Sequence, residues 1–156
     1  MRDSQLRFIR QQGVTTPGPD RHLYEALMFQ PRIIAGATLV GILAQSPWLF
    51  MTLSAVLWWG ALIPSKNLFD AVYNLLLALP RGLPRIEVAL PPRRFAQGMA
   101  GTLTLLIGAA LFVQAIFAAW ILEGLLAAGV AATVFGDFCG PAHLYTTLRR
   151  AVHWAR

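Results

Sequence analysis

Apolar residues along this chain gather into long blocks instead of alternating through amphipathic elements. Residues 33–63 form the first block, broken at Gln45, Ser46 and Pro47. A serine able to cap the first helical turn, followed by a proline whose missing N–H costs nothing there, marks a helix start. The chain is therefore expected to turn at this break and run back as a second helix. Each half holds about 15 residues, or ~22 Å of helix, against a hydrocarbon core of ~30 Å. Thinning of the bilayer with snorkelling by Arg32 would close the gap, and a re-entrant hairpin is the competing arrangement. A second block, residues 95–138, contains one acidic residue in its interior, Glu123, a second, Asp137, at its very end, and no basic one. It is too long for one crossing and suits two, with the turn expected at residues 113–117 around Gln114.

Between the blocks, residues 66–79 place Asn67, Asp70 and Asn74 at i, i+3 and i+7, with Leu68, Phe69, Val72, Leu75, Leu76 and Leu79 around the rest. That spacing predicts a helix lying in the membrane interface with a narrow polar stripe, or else an extension of the second span. Pro80, Pro84, Pro91 and Pro92 make the next stretch a loop. Ahead of the blocks, residues 1–12 read as a short basic arm, residues 13–19 as a Gly/Pro/Thr linker, and residues 22–29 as a surface segment before Pro31 starts the first span. The expected fold class is an all-α integral membrane protein: four short transmembrane helices as two helical hairpins, with an amphipathic interfacial helix between them. Its segments are an N-terminal arm and surface segment (1–30), a first hairpin (31–63), the interfacial helix and proline-rich loop (64–93), a second hairpin (94–138) and a basic tail (139–156).

Composition agrees with that solvent. Hydrophobic residues make up 56% of the 156 and charged residues 13%, where a soluble domain carries about a quarter charged. The net charge of +6 could suggest nucleic acid, but all thirteen Lys and Arg flank the apolar blocks instead of forming a surface patch, which excludes that partner class. In the four-span arrangement these residues fall in the N-terminal segment, the central loop and the tail, and the two hairpin turns have none. Both termini are therefore expected in the cytoplasm. Arg32, Arg93, Arg94, Arg149 and Arg150 are expected at lipid headgroups, with Trp48 and Trp120 at the opposite interface. No removable signal segment is legible near the N-terminus.

Candidate chemistry is sparse. Gly124, Ala128, Ala132 and Gly136 recur every four residues and put small side chains on one face of the last span, a pattern that lets another helix approach closely. Thr104 and Gly108, or Ala37 and Gly41, could supply the facing groove within this chain, and a different subunit is the other possibility. Glu123 is the one charge deep in a block; it is either wetted near the far interface or an intramembrane polar site, with Gln114 nearby. Asp137, Cys139 and His143 cluster after the fourth span, too few for a closed metal site, so no metal and no cofactor is expected. A single cysteine also rules out an intrachain disulfide. A weak repeat, Arg32-Ile-Ile-Ala-Gly36 and Arg94-Phe-Ala-Gln-Gly98, opens both hairpins, and duplication would set the two units parallel.

The segment Pro92-Arg-Arg-Phe-Ala-Gln97, the apolar hairpin after it, Ser46-Pro-Trp48, and Phe135-Gly-Asp-Phe-Cys-Gly-Pro-Ala-His-Leu-Tyr145 together resemble a bacterial membrane family known as domain of unknown function 4395. The resemblance spans roughly residues 31–150. It implies a small four-span protein of the bacterial inner membrane, and its terminal motif, with two cysteines in the family, implies thiol redox chemistry. Here Cys139 matches the first cysteine and Ala142 stands at the second, so turnover would need a partner's thiol. The leading expectation is a non-enzymatic accessory or assembly subunit of a larger membrane complex, its partners being the lipid bilayer and other membrane subunits. The alternatives are a thiol-redox partner using Cys139 and a small transporter built around Glu123.

Overall fold

A computed structural model describes residues 1–14 and 21–154 of the chain, with side chains as far as Ala151. The described residues are all helical or loop: α1 (Asp3–Gln11), α2 (Arg21–Ala44), α3 (Pro47–Leu62), a single 3₁₀ turn (Pro64–Lys66), α4 (Leu68–Tyr73) continuing into a π-helical turn (Asn74–Ala78), α5 (Pro91–Phe112), α6 (Ile116–Gly136) and α7 (Gly140–Trp154). Three of these helices, α2, α5 and α6, are long and apolar enough to cross a bilayer; α3 is apolar but shorter, at 16 residues. The expected set of four short spans is thus corrected to three helices of crossing length and one shorter apolar helix, α3.

The turn chemistry explains where the helices break. Ser46 Oγ accepts from the Leu49 N–H at 3.4 Å and Pro47 occupies the first helical position of α3. Ahead of it Gln45 takes a left-handed conformation (φ 44°), with the Ser46 N–H reaching back to the Gly41 carbonyl and the Gln45 N–H to Ile42. Gln114 repeats this between α5 and α6: its φ is 57°, the Ala115 N–H bonds the Ala110 carbonyl at 2.8 Å, and its own N–H bonds Leu111. Both are Schellman endings in which a glutamine stands where glycine is usual.

Close packing joins the two helix pairs. The most extensive contact is between α3 and α5, and α2 lies on α6. Ser54 on α3 donates to the Gly101 carbonyl at 2.7 Å. A Cβ on Gly101 would come within 2.9 Å of Trp58, and one on Gly108 within 2.9 Å of Met51, so absent side chains are what let α3 approach α5. One core cluster gathers Phe50, Ile107, Ala110, Leu111, Ala119 and Leu126; a second gathers Ile34, Leu53, Leu57 and Phe69.

Three segments differ from expectation. Pro31 lies inside α2 and does not start it; α2 begins ten residues earlier, at Arg21. The arm holds a nine-residue helix, α1, whose Phe8 and Ile9 are buried against Tyr24, Leu27, Met28, Cys139 and Ala142. Of the expected linker, residues 15–19 lie outside the described residues. Residues 68–78 of the segment 66–79 are helical, but its polar stripe faces inward: Asn67 and Asp70 are buried and Asn74 pairs with the backbone of Ile86, whereas Leu68, Leu75, Leu76 and Leu79 are exposed. An interfacial helix with its polar side to water is therefore not what forms. The three polar side chains have partners or burial inside the fold, and the leucines are left outside.

Candidate functional site

The inward turn of α4 builds a buried polar network. Asp70 lies opposite Arg93 in the first turn of α5, whose Nη2 donates to Asp70 Oδ1 and whose Nη1 donates to Oδ2 at 3.2 Å. The same Nη2 donates to Gln30 Oε1 at 2.8 Å, and Gln97, one turn further along α5, donates to that oxygen at 2.9 Å. Four side chains from α2, α4 and α5 are thus tied together around one guanidinium. Burial pushes the Asp70 carboxyl above its ordinary value, and the attraction and hydrogen bonds of Arg93 pull it partly back. Gln97 Oε1 has no hydrogen-bond partner among the described residues.

A second polar cluster closes the α6–α7 junction. Asp137 ends α6 in a left-handed conformation (φ 52°) and accepts from Tyr24 Oη at 2.5 Å and from Ser4 Oγ at 2.7 Å, so one carboxylate ties α1 and α2 to the end of α6. The Cys139 N–H donates to Gln11 Oε1 at 3.0 Å, and the thiol is buried beneath α1. Burial raises its pKa above the ordinary thiol value, with hydrogen bonds from the Ala142 backbone and from the Gln12 and Thr133 side chains opposing it. His143 is exposed and lies against Phe138, the rings tilted by 52° with 5.5 Å between centroids. Among the described residues no three His, Cys, Asp or Glu side chains are drawn together in a way that could hold a metal. Gln30, Arg93, Gln97 and Cys139 all border one cavity of about 780 Å³, whose remaining walls are mostly apolar, with Leu103, Leu106, Leu126 and Val130 among them.

The other expected site residues scatter over the fold. Gly124, Ala128, Ala132 and Gly136 are all exposed, and a Cβ on Gly124 or Gly136 would meet no atom within 4 Å. Their expected grooves are filled from elsewhere: Gly41 lies under Phe50, Gly108 under Met51, Ala37 is half-buried, and Thr104 is fully buried with its hydroxyl donating to the Ala100 and Gly101 carbonyls. Packing of the α6 stripe inside this chain is therefore corrected to an outward face. Glu123 is buried, but its partner is Gln45, whose Nε2 lies 3.1 Å from both carboxylate oxygens; Gln114 is exposed on its turn and takes no part. Arg93 is a buried ion-pair member and not a headgroup contact. Arg94 is half-buried and donates to the Ala61 carbonyl, Arg32 is exposed and bonds Glu25 at 2.6 Å, and Arg149 and Arg150 are exposed on α7. Trp48 is exposed beside its turn, edge-on to Phe112, and Trp120 is exposed in the first turns of α6.

Asp70, Gln30 and Gln97 are site members that the sequence reading misses. A signal exists: Arg93 and Gln97 share a helical face at i, i+4, and a lone carboxylate four residues after a lysine in apolar sequence needs a counter-charge if it turns inward.

Such a chain is an all-α protein with three helices apolar enough for a membrane and a buried polar network tying α2, α4 and α5 together. Residues 25–150 match the family model described as Domain of unknown function (DUF4395), and the chain belongs to that family. No curated protein and no solved structure matches it.

Proposed function

We propose that this protein is a non-enzymatic accessory or assembly subunit of a membrane complex, inserted in the bacterial inner membrane through α2, α3, α5 and α6 with both termini in the cytoplasm. The observation that carries the reading is the outward stripe on α6. Four small residues at four-residue spacing lie exposed on an apolar helix, with open space over Gly124 and Gly136. Between helices in lipid the hydrophobic incentive is weak, so close backbone approach supplies the association energy, and small side chains permit it. Lys and Arg outside the apolar blocks, and exposed leucines after α4, suit the same placement.

The thiol alternative fits less well. A reactive cysteine is exposed and depressed in pKa, whereas Cys139 is covered by α1 and raised. A transporter built on Glu123 would need further buried titratable groups along a path, and the group that bonds Glu123 is the neutral amide of Gln45.

Extraction from native membranes in mild detergent, with a photo-crosslinking residue at Ala128, tests the proposal. A discrete heavier adduct and co-purifying subunits are expected, both lost in Gly124→Leu/Ala132→Leu while helix content is unchanged. A solitary monomer in every gentle extraction would refute it.

A further inference from the structure

Beside the basic end of α2 lies a second concavity, about 550 Å³, bordered by Arg21, His22, Glu25 and Arg32 of α2, Tyr73 of α4 and Arg81 of the loop beyond it. Three arginines face one carboxylate, so these lining residues carry a net charge of +2 with His22 neutral. Glu25 engages Arg32, and Tyr73 Oη lies 3.0 Å from His22 Nε2. Arg21 and Arg81 are exposed at the rim. Apolar surface adjoins this charge directly: Phe29, Leu77 and Leu83 line the concavity, and Leu75, Leu76 and Leu79, which flank Leu77 in sequence, are more than half exposed. The apolar run of α2 begins at Ile33, one residue past Arg32. The concavity therefore sits where, in the membrane placement proposed above, phosphates give way to acyl chains.

We infer that this concavity is a binding site for the headgroup of an anionic phospholipid, with the phosphate between Arg21 and Arg81 and the acyl chains along the exposed leucines. Arginine presents paired N–H donors that fit phosphate oxygens, and basic pockets at the ends of membrane helices favour anionic headgroups. A free phosphate would use the arginines and leave the leucines without a role, which is why the lipid is the occupant assigned. The site lies on α2 and α4, apart from the α6 stripe, so it stands or falls separately from subunit docking. It does rest on the bilayer placement.

The test begins with alkaline carbonate extraction, which reports the placement alone: a protein released into the supernatant overturns that reading. For protein that stays in the pellet, native mass spectrometry from detergent micelles supplemented with phosphatidylglycerol or phosphatidylcholine measures retained lipid. Preferential retention of phosphatidylglycerol is expected, weakened about fivefold by Arg21→Gln or Arg81→Gln and more than about tenfold by both together. These side chains are exposed, so folding is preserved, and circular dichroism checks it. Glu25→Gln, which removes the competing carboxylate, is expected to tighten retention severalfold, an effect of opposite sign. Equal retention of the two lipids, indifference to the double substitution, or displacement of the lipid by millimolar inorganic phosphate would overturn the inference.

Discussion

At the scale of single residues, the side chain whose environment departs furthest from its sequence context is Arg93. It stands beside Arg94 in a proline-flanked basic run, as a headgroup contact would, yet it is 5% exposed and bonded to Asp70 and Gln30. A buried pair is costly to form and costlier to break, because removal of one partner strands the other charge. Arg93→Met should lower unfolding stability by ~3–5 kcal/mol, whereas Arg93→Met/Asp70→Leu should recover most of that loss, as read from denaturant titrations in detergent. Equal losses in the single and double variants would show that the pair is not the source. Cluster membership of this kind is only half legible in a sequence. The capping serine at 46 and the proline at 47 can be read from local chemistry, and the second turn, around Gln114, only from the length of its apolar block; the helices do break at both places. Asp70 and Gln30 meet Arg93 across 23 and 63 residues of sequence, and nothing in a one-dimensional pattern pairs them.

At the scale of elements, the two turns share a backbone and differ in what their glutamines do. Non-glycine residues in the left-handed region cost roughly 1 kcal/mol, so each position would accept glycine locally. Gln114 is exposed, away from the polar clusters, and Gln114→Gly should raise stability by about 0.5–1 kcal/mol. Gln45 bears the donor to buried Glu123. Gln45→Gly should therefore destabilise by about 1–3 kcal/mol despite relieving the same strain, since a buried acceptor is left without its donor. Thermal melts of the two variants under identical conditions check the opposed signs. Helix periodicity marks residues 66–79 as an amphipathic helix but misjudges its outer side, for an identifiable reason. Period alone says which residues share a face, and only the partner, here Arg93, says which face is buried. The α6 stripe meets the reverse fate, since Gly41 and Gly108 accept α3 side chains and the stripe keeps its face outward.

At the scale of the whole molecule, Cys139 depends on contacts drawn from both ends of the chain. Phe8 and Ile9 cover it, Gln11 holds its backbone, and Asp137 close by anchors Ser4 and Tyr24. Because burial raises the thiol pKa, the fold favours the neutral form. That contribution is complete below the ordinary thiol value and disappears as pH climbs through the raised one. Alkylation at neutral pH should therefore be slower than for a free thiol. Phe8→Ala should accelerate it by about tenfold or more and move the rate–pH profile back toward the ordinary thiol range. An unchanged rate in iodoacetamide time courses would mean that α1 does not guard the cysteine.

The clasp between Ser4 and Asp137 also dictates an order of events during biosynthesis. Its two halves are separated by 133 positions, and a ribosome adding about 5–20 residues each second needs on the order of ten seconds to cover that distance. Throughout that interval the nascent amino-terminal helix can lay Phe8 and Ile9 against Tyr24, Leu27 and Met28 of α2 but lacks the Cys139 and Ala142 side of their pocket. Pulse-labelled chains should accordingly be cut by added protease near their start until translation has passed Ala142, and be spared afterwards.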